Sequence, residues 1–254
     1  TMISYGNKMR ALWAFNLITL SYSIYALPQY FWYGLAWALF VSLIGSTAGF
    51  HRYFSHRSFT ARNKFVYHMM LWMGVFGTSG KPITTAVAHR LHHKYSDTEK
   101  DIHSPKNIGT WNVFWGFWDT IPYEKSMMKD LVEDPNLKFA QKWYFHIILG
   151  ANALVFLYNP ALVGYVLGFP AVYSQLVIGS LIINILNHKM GSRTHDTTDD
   201  SRNSFILSIF SHGEGWHNNH HNNGRSYTSQ EEWWQFDLTG VVIKYFLSKG
   251  ELGK

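Results

Sequence analysis

Two long stretches without a charged residue constrain the fold of this chain most. No Lys, Arg, Asp or Glu occurs between Ala11 and Phe50, or between Trp143 and His188. Each stretch is about twice the roughly 20 residues that one transmembrane helix needs, so each holds two spans joined by a turn. Prolines and glycines within residues 26–34 and 158–170 supply the helix breaks. The sequence therefore predicts four transmembrane helices in two hairpins, at about residues 10–27, 33–52, 142–158 and 167–188.

The positions of the basic residues predict the orientation. All 22 Lys and Arg residues lie outside the two stretches, and two hairpins return the chain to its starting side. By the positive-inside rule that side is cytoplasmic. We therefore expect an all-α, multi-pass integral membrane protein of one domain, residues 1–254, with both termini cytoplasmic and a helical cap formed by residues 53–141 and 189–254. The net charge of +6 then reflects basic residues that face the anionic headgroups of the lipid bilayer. It does not indicate nucleic-acid binding, because no nucleic-acid motif is present. The alternative, a soluble protein with buried hairpins, requires very long uncharged runs in a water-soluble core.

The 14 histidines are clustered, and the absence of cysteine leaves nitrogen and oxygen as the available metal ligands. Three boxes, "HRYFSH", "HRLHH" and "HNNHH", and the element "NILNH" hold most of them. Positions i, i+3 and i+4 share one face of a helix, so the second and third boxes each present three imidazoles together. His51 and His56 are five residues apart and need a helix end or a distorted turn to meet.

The size of this set favours two metals. Nine imidazoles exceed the coordination number of one ion, whereas two ions can share them and keep positions open. A dizinc hydrolase is an alternative, but such sites recruit carboxylates and the boxes contain none. The nearby acids Asp97, Asp101 and Glu214 are expected to support ligands. An all-nitrogen pair beside a membrane favours iron and dioxygen.

The sequence resembles the membrane-bound fatty acid desaturases, in the branch of acyl-CoA Δ9 (stearoyl-CoA type) desaturases and their bacterial relatives. The resemblance runs from about Gly49 to Leu247 and rests on "GFHRYFSHRSF", "HRLHHKYSDTEKDIHSP", "NHKMGSRTHDTTDDSRN", "GEGWHNNHH" and "WWQFDLT". It implies a nonheme di-iron centre, with Fe2+/Fe3+ ions and no bound organic cofactor. The implied metal ligands are His51, His56, His89, His92, His93, His188, His217, His220 and His221, with Asn184 acting through a water.

The resemblance also implies the reaction. Dioxygen is used to remove two hydrogens from a saturated acyl chain, which gives a cis double bond, expected at Δ9, and water. No HPGG signature of a fused cytochrome b5 is present, so the electrons are expected from a separate ferredoxin, or from cytochrome b5 with its reductase. Acyl-CoA is the favoured substrate and acyl-lipid is possible. The segment "GKPITTAVAHR" departs from many relatives because it lacks a tryptophan and an acid, which leaves substrate class and regiospecificity open.

Two other functions fit the same ligands. One is a di-iron hydroxylase or ketolase acting on lipid or carotenoid, and the other is a non-catalytic metal-binding membrane protein. No catalytic side chain is predicted beyond the ligands, and the substrate-binding residues are unassigned. His146 is predicted to be an interior polar group, while His103 and His195 have possible supporting roles. The remaining candidates are Trp111, Trp115, Trp118 and Trp216 for the acyl tunnel or the membrane interface, and Arg52, Arg57, Lys81 and Lys94 for a headgroup.

Overall fold

A computed structural model describes residues 2–4, 6–116 and 120–253, and most of them are helical. The helices are α1 (Gly6–Ala26), α2 (Pro28–Ser55), α3 (Lys64–Phe76), α4 (Pro82–Tyr95), α5 (Pro105–Ile108), α6 (Thr110–Phe114), α7 (Lys129–Val132), α8 (Pro135–Tyr158), α9 (Pro160–His188), α10 (Phe205–Phe210), α11 (His217–Asn222) and α12 (Leu238–Leu247). Four short strands accompany them: β1 (Met2–Ser4), β2 (Phe59–Ala61), β3 (Thr120–Pro122) and β4 (Ser248–Leu252). The expectation of an all-α chain therefore omitted two small sheets.

Each of the four stretches predicted as spans lies mostly or wholly within one helix, namely α1, α2, α8 or α9. Among the described residues, α2 with 28 residues and α9 with 29 are long and apolar enough to cross a membrane. The breaks are shorter than predicted, because single residues, Leu27 and Asn159, separate the paired helices. Pro28 and Pro160 then start the next helices, where a missing N–H costs nothing. Pro170 lies inside α9, directly after the wide turns of Gly164–Gly168.

Glycines allow the long helices to approach each other closely. A Cβ atom on Gly164 of α9 would lie 2.1 Å from the carbonyl oxygen of Thr19 in α1. One on Gly45 of α2 would lie 2.3 Å from the backbone nitrogen of Gly74 in α3. Any side chain at these two positions would push the backbones apart, so glycine sets the spacing of both helix pairs.

The two sheets, and the side chains that cap the N-termini of α3 and α8, connect the cytoplasmic cap segments to the long helices. β1 pairs antiparallel with β3, and β2, just after α2, pairs antiparallel with β4. Asn63 caps α3 by accepting from the backbone nitrogen of Val66, and Asp134 caps α8 in the same way through Leu137. These contacts hold the segments after α2 and before α8 against the ends of the long helices.

Candidate metal centre

Nine histidines converge in two adjacent groups at the ends of α2 and α9. In each group the possible ligand atoms lie within 4.8 Å of one another. Group one contains His51, His56, His89, His93 and His220. Group two contains His92, His188, His217 and His221. All nine histidines that the resemblance implied as ligands are therefore brought together by the fold.

A local widening of α2 brings the first box together. The second half of this helix, Ser42–Ser55, has π-helical turns, and the backbone nitrogen of His56 donates to the carbonyl oxygen of His51 at 3.2 Å. An i→i+5 hydrogen bond places residues five apart above each other. The ring centroids of His51 and His56 are consequently 5.1 Å apart. The predicted need for a distorted turn is confirmed.

The second and third boxes are each divided between the two groups. In α4, His89 and His93 join group one while His92 joins group two. In α11 the division is reversed, since His217 and His221 join group two and His220 joins group one. In both boxes the i, i+4 pair stays together, because positions i+3 and i+4 lie on opposite sides of position i and i+4 is the nearer of the two around the helix. Each of these two helices therefore bridges the groups.

Carboxylates orient four of the imidazoles through Nδ1. The contacts are His51 to Glu214 at 2.8 Å, His92 to Asp101 at 2.8 Å, His188 to Asp97 at 2.7 Å and His221 to Asp199 at 2.7 Å. A metal-binding histidine commonly donates its other ring N–H to such a carboxylate. The supporting positions expected for Asp97, Asp101 and Glu214 are confirmed, and the loop before α10 adds Asp199.

Arg52 belongs to this support and not to a headgroup site, so the sequence-based expectation was wrong. Its side chain is 1% exposed and bonds to Glu214 at 3.1 Å and to Asp237 at 2.9 Å. Burial alone would raise the pKa of Glu214, but Arg52 and His51 lower it to about 2. Asp237 also caps α12 through the backbone nitrogen of Gly240. The position of Arg52 inside the first histidine box, in an apolar helix, was the available signal, because buried arginines are nearly always paired.

The protonation states of the site suit cation binding. Burial, followed by neighbouring positive groups, lowers the pKa of six histidines well below the ordinary value: His56, His89, His93, His217, His220 and His221. Neutral imidazole is the form that binds metals. Because Asp97 accepts from Nδ1 of His188 at 2.7 Å, the Nε2 atom of His188 carries a lone pair.

Several Nε2 atoms of the nine histidines face one another at short range. Nε2 of His51 lies 3.0 Å from Nε2 of His220, and Nε2 of His188 lies 3.2 Å from that of His217. Among the described residues, Nε2 of His92 and Nε2 of His221 are buried without a hydrogen-bond partner. An ion with bonds of about 2.1 Å to imidazole places adjacent ligand atoms roughly 3.0 Å apart in octahedral geometry. The donor set therefore fits one metal ion in each group.

A cavity of about 110 Å³ adjoins group one between α2, α4 and α9. His51, His89 and Asn184 line it, so the predicted Asn184 lies beside the histidines. His103 also lines it and is buried, with its ring centroid 4.6 Å from that of His92. Such a volume holds only a short part of an acyl chain, since about 150 Å³ accommodates one benzene molecule.

The other sequence-based candidates lie elsewhere. The described tryptophans do not line this cavity: Trp111 is exposed, Trp115 is half-buried, and Trp216 packs in the interior and donates to the carbonyl oxygen of Phe236. Trp118 lies outside the described residues. His146 is exposed on α8, so its predicted interior position was wrong. The remaining candidates are at the surface or half-buried, with contacts from Arg57 to Asp130, Lys94 to Glu124, Lys81 to the Phe145 ring and His195 to Glu231.

The fold and the two groups define a helical protein with a candidate dimetal centre at the end of long apolar helices. Residues 10–234 match the model of the fatty acid desaturase family. The Delta-9 acyl-lipid desaturase 2 of Arabidopsis thaliana is 34% identical over 86% of this chain and 74% of its own length. The sn-1 stearoyl-lipid 9-desaturase of Anabaena variabilis is 33% identical over 95% and 93%. The acyl-CoA C20 Delta5-desaturase of Anemone leveillei is 32% identical over 84% and 70%.

This chain belongs to the fatty acid desaturase family. It is therefore an oxidoreductase that desaturates fatty acyl chains. The family and the two long apolar helices together indicate a membrane protein.

Proposed function

We propose that the two histidine groups hold two iron ions and that the protein introduces a cis double bond at Δ9 of a saturated acyl chain. The observation that carries this proposal is the convergence of nine imidazoles in a family of desaturases. His51, His56, His89, His93 and His220 hold one ion, and His92, His188, His217 and His221 hold the other. Asn184 contributes through a water. The bound metals supply the chemistry that uses dioxygen to remove two hydrogens from unactivated carbons.

The chain's own residues position the substrate and the ligands. The cavity beside His51 and His89 takes the reacting part of the acyl chain. The fit of the chain in this cavity decides which carbon pair lies at the metals. The carboxylates on Nδ1 hold the imidazoles in one tautomer and one orientation. The names of the relatives include both acyl-lipid and acyl-CoA desaturases. We take acyl-CoA as the favoured carrier and a membrane lipid as the alternative.

The same proposal includes the topology. Helices α1, α2, α8 and α9 cross the bilayer as two hairpins, with both termini and the histidine groups on the cytoplasmic side. Support comes from the long uncharged stretches and from the basic residues that flank them. Cysteine-accessibility labelling tests this directly, because the chain has no native cysteine. Labelling of single cysteines in the cap from the outside of intact cells would contradict the proposed orientation.

The reaction is tested by expressing the chain in a desaturase-deficient host and analysing its fatty acids by gas chromatography–mass spectrometry, with double bonds located by derivatisation. A new cis-Δ9 monoene is the expected product. A hydroxylated acyl chain would show that the protein inserts oxygen and does not desaturate. A double bond at another position would contradict the proposed regiochemistry. Parallel assays with purified protein on acyl-CoA and on glycerolipid separate the two carriers.

The carboxylate support makes a further prediction. Asp199→Asn keeps the shape of the side chain but weakens the acceptor for Nδ1 of His221, which lies 2.7 Å away. Loss of such a partner costs about 10–100-fold in metal affinity or activity. Iron content after dialysis against a graded chelator measures the change, with Asp196→Asn as the control because Asp196 is a nearby exposed acid. Equal iron retention in both variants would contradict this role for Asp199.

A further inference from the structure

A second cavity, of about 590 Å³, lies at the surface over one of the histidines in group one. His56 is the member of the nine that lines it, and we name it the His56 cavity. Its charged lining consists of Arg57, Arg90, Arg225 and Asp130. His56 is half-buried, so its ring belongs both to the wall of this cavity and to the buried group.

The arginines of the His56 cavity differ in how their donors are used. Arg90 donates to the carbonyl oxygens of Phe54, Ser55 and Met127 and to both carboxylate oxygens of Asp130. Arg57 donates to Asp130 at 2.8 Å, while Arg225 is exposed. Three guanidinium groups and one carboxylate leave an excess of positive charge. The five donations of Arg90 use its hydrogen-bonding capacity fully, while Arg57 directs two of its donors to Asp130.

We propose that the His56 cavity is the docking point for a small acidic one-electron carrier protein, and that its electrons enter through the His56 ring. The inference rests on the proposed function, since desaturation requires an external reductant. Tight binding of a phosphate headgroup needs free bidentate donors; Arg90 has none left, and Arg57 is already paired with Asp130. Weak docking of an acidic protein needs a local positive potential, which they still provide.

The His56 ring connects this cavity to group one directly. Its Nε2 lies 2.7 Å from Nε2 of His89, and its ring centroid lies 4.5 Å from that of His93 and 4.6 Å from that of His220. Each docked carrier loses one electron and is oxidised by one unit. Two such transfers, with two protons, complete the reduction of one dioxygen to two waters while the acyl chain loses two hydrogens.

The test compares Arg225→Glu with a control, Lys106→Glu, which makes the same change of charge at a different place. Lys106 is exposed and lies beside Asp200, close to group two. The full-length protein in lipid nanodiscs is titrated with an oxidised plant-type [2Fe–2S] ferredoxin and, separately, with the soluble domain of cytochrome b5. At about 50 mM salt, Arg225→Glu should weaken the Kd for the acidic carrier roughly tenfold and lower the association rate. Near 0.5 M salt the difference should largely disappear, because screening removes it. Lys106→Glu should stay within about twofold of the unaltered protein.

Other outcomes overturn the proposal in distinct ways. Equal Kd values for Arg225→Glu and the unaltered protein would exclude docking at the His56 cavity, and equal weakening by both variants would show non-specific attraction. A raised KM for acyl substrate with unchanged carrier binding would assign the cavity to a substrate headgroup. Failure of the unaltered protein to make product with a chemical reductant would instead reject the proposed function. The comparison of Kd values would still decide whether an acidic carrier docks at the His56 cavity.

Discussion

Replacement of His220 by Ala is expected to abolish desaturation and to reduce bound iron from about two ions per chain to about one. Nε2 of His220 lies 3.0 Å from Nε2 of both His51 and His93. Its removal leaves a gap in the middle of group one, while the four histidines of group two keep their places. We expect activity to fall by at least about two orders of magnitude, because loss of a ligand is more severe than the 10–100-fold cost of losing a supporting partner.

His146→Ala is the matched control, because it removes an exposed imidazole from α8. It should retain iron and activity close to those of the unaltered protein. The measurements are iron per chain by mass spectrometry and product by gas chromatography, on protein that elutes as one species in detergent. Full iron content or normal product in His220→Ala would show that this histidine is not a ligand.

The second large effect concerns the stability of the buried ion network. Arg52→Met leaves the carboxylates of Glu214 and Asp237, which are 1% and 3% exposed, without their cation. Removal of one partner from a buried ion pair costs about 3–5 kcal/mol. For a chain of this size that lowers Tm by about 6–20 °C, to be measured by intrinsic fluorescence in detergent. Iron content should fall as well, because Glu214 also orients His51.

Arg57→Met provides the comparison, because Arg57 directly follows the same histidine box but lies at the surface. In its ion pair with Asp130, the Arg57 side chain is 37% exposed and the Asp130 side chain is 42% exposed. Exposed ion pairs contribute about 0–1 kcal/mol to the free energy of unfolding. The expected loss in Tm is at most about 4 °C. If both arginines gave the same small change, the buried network would not be a source of stability.

Local sequence patterns were sufficient to predict much of the site. The spacing of HRLHH and HNNHH predicts imidazoles on a shared helix face, and these boxes occupy α4 and α11. The acids Asp97, Asp101 and Glu214 were predicted as supports and contact ring nitrogens. The faces of the boxes follow from helical periodicity, which operates over a few residues. The role of the acids follows from their charge next to the histidine boxes, because buried imidazoles need polar partners, and it does not require knowing which imidazole each acid meets.

Other features were mispredicted because they depend on distant segments. Arg52 looked like a surface cation, yet its partners Glu214 and Asp237 lie more than 160 positions away in the chain. His146 was predicted to be interior from the apolar residues around it, but the side of α8 that packs inward is chosen by its neighbours. The predicted helix breaks were too long, since the wide turns before Pro170 tolerate a proline that an ideal helix would not.

The sequence by itself determined the four apolar stretches, the three histidine boxes and the number of imidazoles available. Only the tertiary structure decided how the boxes are shared between the two groups. His92 and His93 are neighbours in the chain, yet they join different groups, because the imidazoles of α2, α9 and α11 approach α4 from two sides. Periodicity assigns a residue to a face of its helix, whereas ligand grouping depends on which other helices meet that face, and packing between distant segments sets that.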